Sequence, residues 1–101
     1  MPHDDRSDTL EAPTRLIADT RAEFRRAALA CLDAVLSAHR ARVVVDLSHT
    51  SEIDASGLGV LVLLQKRARE ARVTTSLRHA PPSVRQILAL TRLDYLFDIE
   101  D

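Results

Sequence analysis

Both glycines of this 101-residue chain, Gly57 and Gly59, lie two positions apart. They belong to residues 54–61, Asp-Ala-Ser-Gly-Leu-Gly-Val-Leu, which open a run predicted to be a helix over about residues 56–72. Glycine disfavours a helix interior by about 1 kcal/mol relative to alanine. Two glycines in one first turn therefore indicate that a bare backbone is required there for another reason, such as the close approach of a neighbouring chain.

An Ala- and Leu-rich stretch from Thr20 to about His39 predicts an amphipathic first helix, because its apolar positions are spaced four, three and four residues apart. Asp19 or Thr20 is expected to cap it, since either side chain can accept a hydrogen bond from a free backbone amide. Its arginines are expected to form a solvated face and not a site for an acidic ligand. The apolar positions are Phe24, Ala28, Cys31 and Val35, and the arginines are Arg21, Arg25 and Arg26.

A short β-branched run at residues 42–47 is apolar on both faces, as expected of a buried central parallel strand. A further strand is predicted at residues 73–79, a third helix from near Ser83 and a last short strand at residues 97–99. Strands that alternate with helices are typical of a parallel or mixed sheet covered by helices, so the predicted fold class is α/β. The length predicts one domain, over residues 10–101.

The amino-terminal part is expected to contribute little to this fold. Residues 1–9 have the composition of a flexible tail. Pro13 interrupts the segment before the first helix, which leaves at most a brief strand at residues 14–17 and predicts a shortened N-terminal strand region. A sheet edge left uncovered in this way tends to recruit another chain, so a homodimer through that edge is one hypothesis.

Composition excludes several classes of function. Fourteen basic and fifteen acidic residues give a net charge of -1, and only 3% of residues are aromatic, so nucleic acid is not an expected partner. A lone cysteine forms no internal disulfide. The longest apolar run, residues 58–64, is about a third of a bilayer span. We therefore expect a soluble, cytoplasmic protein without metal or other cofactor.

The second helix combines a core side with a charged side. A helical wheel places Leu63 among the charged residues and Gly59 one turn before it on the same side. An apolar side chain beside a bare backbone can dock a partner, although single exposed leucines are also common. The charged side comprises Lys66, Arg67, Arg69 and Glu70, and the core side comprises Leu61, Leu64, Ala68 and Ala71.

Residues 54–61, preceded by the strand at residues 42–47, resemble the STAS domain. This is the fold of bacterial anti-sigma-factor antagonists and of the cytoplasmic tails of sulfate transporters. Residues 82–88 and 93–97 are similar to the closing helix and strand of that family, so the resemblance covers about residues 42–98. It implies a mainly parallel sheet covered by helices, a role in binding protein partners, and no catalysis.

The resemblance also implies a phosphorylation switch. In the antagonists a Ser or Thr directly after the motif aspartate is phosphorylated by an anti-sigma-factor kinase, and here that position is Ala55. Three interpretations remain: Ser56 is the phosphoacceptor instead, Ser56 is only a helix cap, or the protein binds its partner without a switch. The third is preferred. The implied partner is an anti-sigma factor with serine kinase activity or a subunit of a transport or scaffolding complex.

The predicted partner surface is the loop at residues 48–56 with the first two turns of the following helix. Asp54 is expected to cap the helix and supply charge, the two glycines to let the partner approach closely, and Leu63 to anchor it. The full set of predicted partner-binding residues is Asp54, Ala55, Ser56, Gly57, Leu58, Gly59 and Leu63.

Two chemical alternatives are weaker. A small serine hydrolase would use Ser56 with His49 or His79, but Asp54 and Leu58 stand where a Gly-x-Ser-x-Gly elbow needs glycines. A magnesium site built from nearby carboxylates would lack the lysine that completes such a site in receiver domains. The carboxylates considered are Asp46, Glu52 and Asp54.

Overall fold

The computed structural model describes residues 8–100 of the chain. Its strands and helices alternate as expected of an α/β fold. Short 3-10 helices at Ala18–Thr20 and Asp94–Leu96 precede α1 and β6. In chain order the elements are β1 (Thr9–Glu11), β2 (Arg15–Leu16), α1 (Arg21–Ser37), β3 (Arg42–Asp46), β4 (Glu52–Ile53), α2 (Ala55–Glu70), β5 (Thr74–Arg78), α3 (Pro82–Leu90) and β6 (Asp98–Glu100).

The main sheet has four strands in the order β1-β3-β5-β6, and every neighbouring pair is parallel. A separate two-stranded parallel sheet joins β2 to β4. Successive strands of the main sheet are therefore connected through helices, which confirms the predicted α/β architecture. In each such connection the helix begins at the carboxyl end of the strands, and this sets the position of α2.

The core lies between one face of this sheet and the three helices. Val43 and Val45 of β3 and Leu77 of β5 are fully buried there with apolar residues of all three helices. Because side chains alternate along a strand, the other face carries different residues. On it Glu100 accepts from Arg42 at 3.4 Å and from Arg78 at 3.2 Å. The predicted central strand is confirmed as β3, which is paired with β1 on one side and with β5 on the other.

Helix α1 differs from its prediction in detail. Cys31 is only half-buried, and Leu32 completes the buried stripe instead. Neither predicted cap operates, because no side chain caps α1 and the hydroxyl of Thr20 instead accepts from the amide of Ile17 and donates to the carbonyl of Arg15. Within residues 8–100, no helix has both the length and the apolar character needed to cross a bilayer.

The amino-terminal segment is better ordered than predicted. Residues 1–7 of the expected tail lie outside the described residues, but Asp8 is buried and Thr9 belongs to β1. Leu10 of β1 pairs with Val45, so β1 covers the edge of β3 that was expected to be open. This removes the observation on which the edge-mediated homodimer rested. The brief strand predicted at residues 14–17 is confirmed as β2.

All three helices end without glycine. The second residue after the end of each of these helices takes a left-handed conformation, with φ of 55° at His39, 62° at Arg72 and 58° at Arg92. Helix ends commonly place glycine there, because it adopts this conformation without a steric penalty. The chain instead carries its two glycines at the beginning of α2, where neither adopts a positive φ.

Candidate functional site at the amino end of helix α2

Asp54 caps α2, as predicted. The backbone N–H of Gly57 donates to Oδ1 of Asp54 at 3.0 Å, and the N–H of Ala18 donates to Oδ2 at 3.1 Å. The hydrogen bond from Gly57, supported by that from Ala18 and opposed by slight desolvation, lowers the pKa of Asp54 below its usual value. The charged carboxylate therefore stabilises the fold above the unfolded pKa of about 3.9, and this contribution disappears as pH falls through the lowered value.

Residues 13–18 hold the loop before α2 in place. The carbonyl of Thr14 accepts from the amide of Ser51 at 2.9 Å, and the hydroxyl of Thr50 donates to the carbonyl of Pro13 at 2.9 Å. The amide of Asp54 donates to the carbonyl of Leu16 at 3.2 Å. Since most of these hydrogen bonds use backbone atoms, they fix the direction in which α2 begins.

Gly57 is buried against β2 and does not face a partner. A Cβ atom at Gly57 would lie 2.7 Å from both the carbonyl carbon and Cγ of Leu16, and closer still to the Leu16 carbonyl oxygen. The close approach predicted for Gly57 is therefore made by the chain itself. The partner contact expected of Gly57 is wrong, because the side of the helix that carries it faces inward.

Leu58 must also be removed from the predicted surface. Its side chain is 8% exposed and belongs to the hydrophobic core. Gly59, in contrast, is exposed, and a Cβ atom added to it would meet no other atom within 4 Å. The two glycines therefore have different roles, which their spacing along the chain could not distinguish.

The surface that remains is one wall of an open groove between α1 and α2, with a volume of about 750 Å³. Ala55 is exposed, and Ser56 and Leu63 are half-buried. Leu63 thus lies between the two helices. The structure differs here from the helical wheel, which places Leu63 on the outer side of α2 among the charged residues. The groove is lined by Ala18, Arg21, Ala22, Arg25, Arg26, Ala55, Ser56, Gly59, Val60 and Leu63.

Sequence reasoning missed the other wall of this groove. Arg21, Arg25 and Arg26 were predicted to form a solvated face, and they are exposed, but they also line the groove opposite Ser56 and Gly59. The signal that could have indicated this is weak. To predict this wall, one must know that the amino-terminal halves of α1 and α2 lie side by side. That arrangement follows only from the parallel order of β1, β3 and β5.

A parallel sheet with its helices on one face, and with an open groove beside the start of α2, defines a class of small α/β domain. The chain belongs to the STAS family, since the family model described as "Mlab, STAS domain" matches residues 1–98. A STAS-domain-containing protein of Pseudomonas aeruginosa is 41% identical over 58 residues. That match covers 57% of this chain and 57% of the relative, so the chain matches little more than half of that protein's length.

Solved structures share this fold. A protein of Thermotoga maritima assigned as an anti-sigma factor antagonist superposes with a TM-score of 0.78 at 24% identity, covering 99% of this chain and 85% of its own. A sulfate transporter family protein of Wolinella succinogenes superposes with a TM-score of 0.74 at 14% identity, covering 91% and 74% respectively. At these identities the likeness concerns the fold, and the resemblance drawn from the sequence motifs is confirmed at that level.

Proposed function

We propose that this protein is a cytoplasmic protein-binding module of the anti-sigma-factor antagonist type, and that it acts without catalysis. Its partner contacts the groove wall formed by Ala55, Ser56, Gly59 and Leu63. Asp54 fixes the start of α2 through its two hydrogen bonds to backbone amides. The observation that carries the proposal is the open groove beside Gly59 and Leu63.

The groove wall has the properties of a recognition surface. Leu63 remains half-buried beside Gly59, where a Cβ atom would meet nothing within 4 Å. A partner can therefore reach the backbone of α2 at Gly59 and cover Leu63 in the same contact. Covering a partly exposed leucine contributes to binding, at about 25 cal/mol for each Å² of apolar surface removed from water.

Replacing Leu63 with aspartate tests this proposal. We expect affinity capture with the wild-type chain to retain a serine kinase of the GHKL type, whose affinity for the Leu63→Asp variant is at least about tenfold lower because the charge cannot be desolvated. The matched control is Lys66→Asp, an exposed position on the same helix. Equal affinity of the retained protein for wild type and Leu63→Asp would show that the groove does not bind it.

A second candidate is a non-switching subunit of a transport complex. It is supported by the shared fold with a sulfate transporter family protein and by Ala55, which carries no hydroxyl. Under this alternative the protein that wild type retains is an ATPase of a transporter, and no phosphorylation accompanies binding.

Phosphate incorporation distinguishes the two candidates. Of the described residues that line the groove, only Ser56 carries a hydroxyl, so we expect a kinase that acts at this surface to modify Ser56. For the antagonist type we expect radiolabelled phosphate to appear on wild type and to be lost in Ser56→Ala when each is incubated with the captured kinase. Binding to wild type without incorporation would favour the transport subunit.

A further inference from the structure

We propose that the groove between α1 and α2 binds an acidic, amphipathic segment of the partner protein. The carboxylates of the segment pair with Arg21, Arg25 and Arg26, and its apolar side chains cover Leu63. This inference rests on the proposed function, because it names the chemistry of the partner that occupies the same groove.

The charge of the groove is the first argument. Among residues 8–100, the lining contains three arginines and no acidic residue. The guanidinium groups of these three arginines make no ion pair within residues 8–100, although other arginines of the chain do. Arg15 pairs with Glu52 at 3.1 Å, for example. Three positive charges on one wall without a counterion favour a negatively charged ligand.

Helix orientation adds to this positive potential. Arg21 is the first residue of α1 and Ala55 the first residue of α2, and both line the groove. The amino ends of a 17-residue and a 16-residue helix therefore meet at one site. Each amino end carries roughly half a positive charge. At α2 the capping carboxylate of Asp54 offsets that charge, so the arginines of α1 supply most of the positive potential.

The rest of the lining indicates a protein segment and not a small anion or a nucleic acid. Alanines and Gly59 provide a floor of small residues, and the half-buried Leu63 provides apolar surface. A volume of about 750 Å³ exceeds what one phosphate needs. The lining has no aromatic side chain to stack on a base, and the whole chain carries a net charge of -1. An acidic helix with an apolar face matches both parts of the groove.

The test uses two synthetic peptides with the full-length protein. One is a helical peptide of about 16 residues made of Leu, Ala and Glu, long enough for helix formation, and the other has Gln at every Glu position. We expect calorimetry at about 0.1 M salt, where the Debye length is about 10 Å, to give about tenfold tighter binding of the acidic peptide. The variant Arg21→Glu/Arg25→Glu should remove that difference. It should stay folded, because glutamates in the first turns of α1 favour the helix dipole.

The control variant is Lys66→Glu/Arg69→Glu, which makes the same change of charge on α2 outside the groove. It should alter binding of the acidic peptide by less than about twofold, since exposed charges beyond a Debye length are largely screened. Equal binding of the two peptides, no binding of the acidic one, or equal losses in both variants would each overturn the inference. So would competition by duplex DNA that depends on Arg21 and Arg25.

These results separate the inference from the proposed function. If Leu63→Asp removes the captured partner while the acidic peptide shows no preference for the groove, the binding surface stands and only the chemistry of its ligand is wrong. If Leu63→Asp leaves capture of the partner unchanged, the proposed function fails whatever the peptides do.

Discussion

Gly57→Ala is expected to destabilise the protein by about 3 kcal/mol or more, through overpacking against backbone. A Cβ atom at this position would lie 2.7 Å from the carbonyl carbon of Leu16. Leu16 cannot easily retreat, because β2 pairs with β4 and the Leu16 carbonyl accepts from the amide of Asp54. A loss of this size is a large fraction of the stability of a small domain.

Gly59→Ala is the matched control, since it makes the same substitution two residues later in the same helix. Nothing lies within 4 Å of the added Cβ atom, so the helix gains about 1 kcal/mol without a clash. The thermal midpoint should rise by about 4–8 °C. Thermal unfolding followed by circular dichroism measures both variants. Similar midpoints for the two would mean that Leu16 does not constrain the beginning of α2.

Leu61→Ala is expected to lower the free energy of unfolding by about 2–5 kcal/mol, because it removes a fully buried side chain and leaves a cavity. Leu61 is 0% exposed and lies in the core with Leu64 and Ala68. The same substitution at Leu63, which is half-buried in the open groove, should cost less than about 1 kcal/mol. Urea unfolding at equal protein concentration gives both values.

The two leucine variants also determine which face of α2 is available to a partner. If Leu63→Ala lowered the free energy of unfolding as much as Leu61→Ala, Leu63 would belong to the core. The groove would then be a packing defect and not a binding surface. If Leu63→Ala lowers the free energy of unfolding only slightly, and the slope of that free energy with urea concentration is unchanged, the side chain is available for binding.

Much of the fold was predictable because its pattern is local. The run of valines in β3 and the inward face of α2, with Leu61, Leu64 and Ala68, repeat at the periods of a buried strand and an amphipathic helix. The capping role of Asp54 was also predictable, since a carboxylate just before a helix accepts from its free amides. The structure of these residues depends mainly on their near neighbours in sequence, which is why it could be predicted.

The amino-terminal strands were harder to predict. β1 has three residues and β2 has two, too short to show any period. Their pairing with β3 and β4 is with residues more than 30 positions away. The same pairing brings Leu16 against Gly57, so the steric reason for one glycine lies in a segment that was expected to contribute little.

The amino-acid sequence by itself determined the order of the three helices and of the longer strands β3 and β5, the buried face of α2 and the family resemblance, because these depend on residue type and short-range spacing. Only the tertiary structure decided that Gly57 faces inward and Gly59 outward. It also decided that the arginines of α1 line the same groove as Ser56 and Leu63. The physical reason is that these relations arise from parallel pairing of distant strands, which places the amino ends of α1 and α2 side by side.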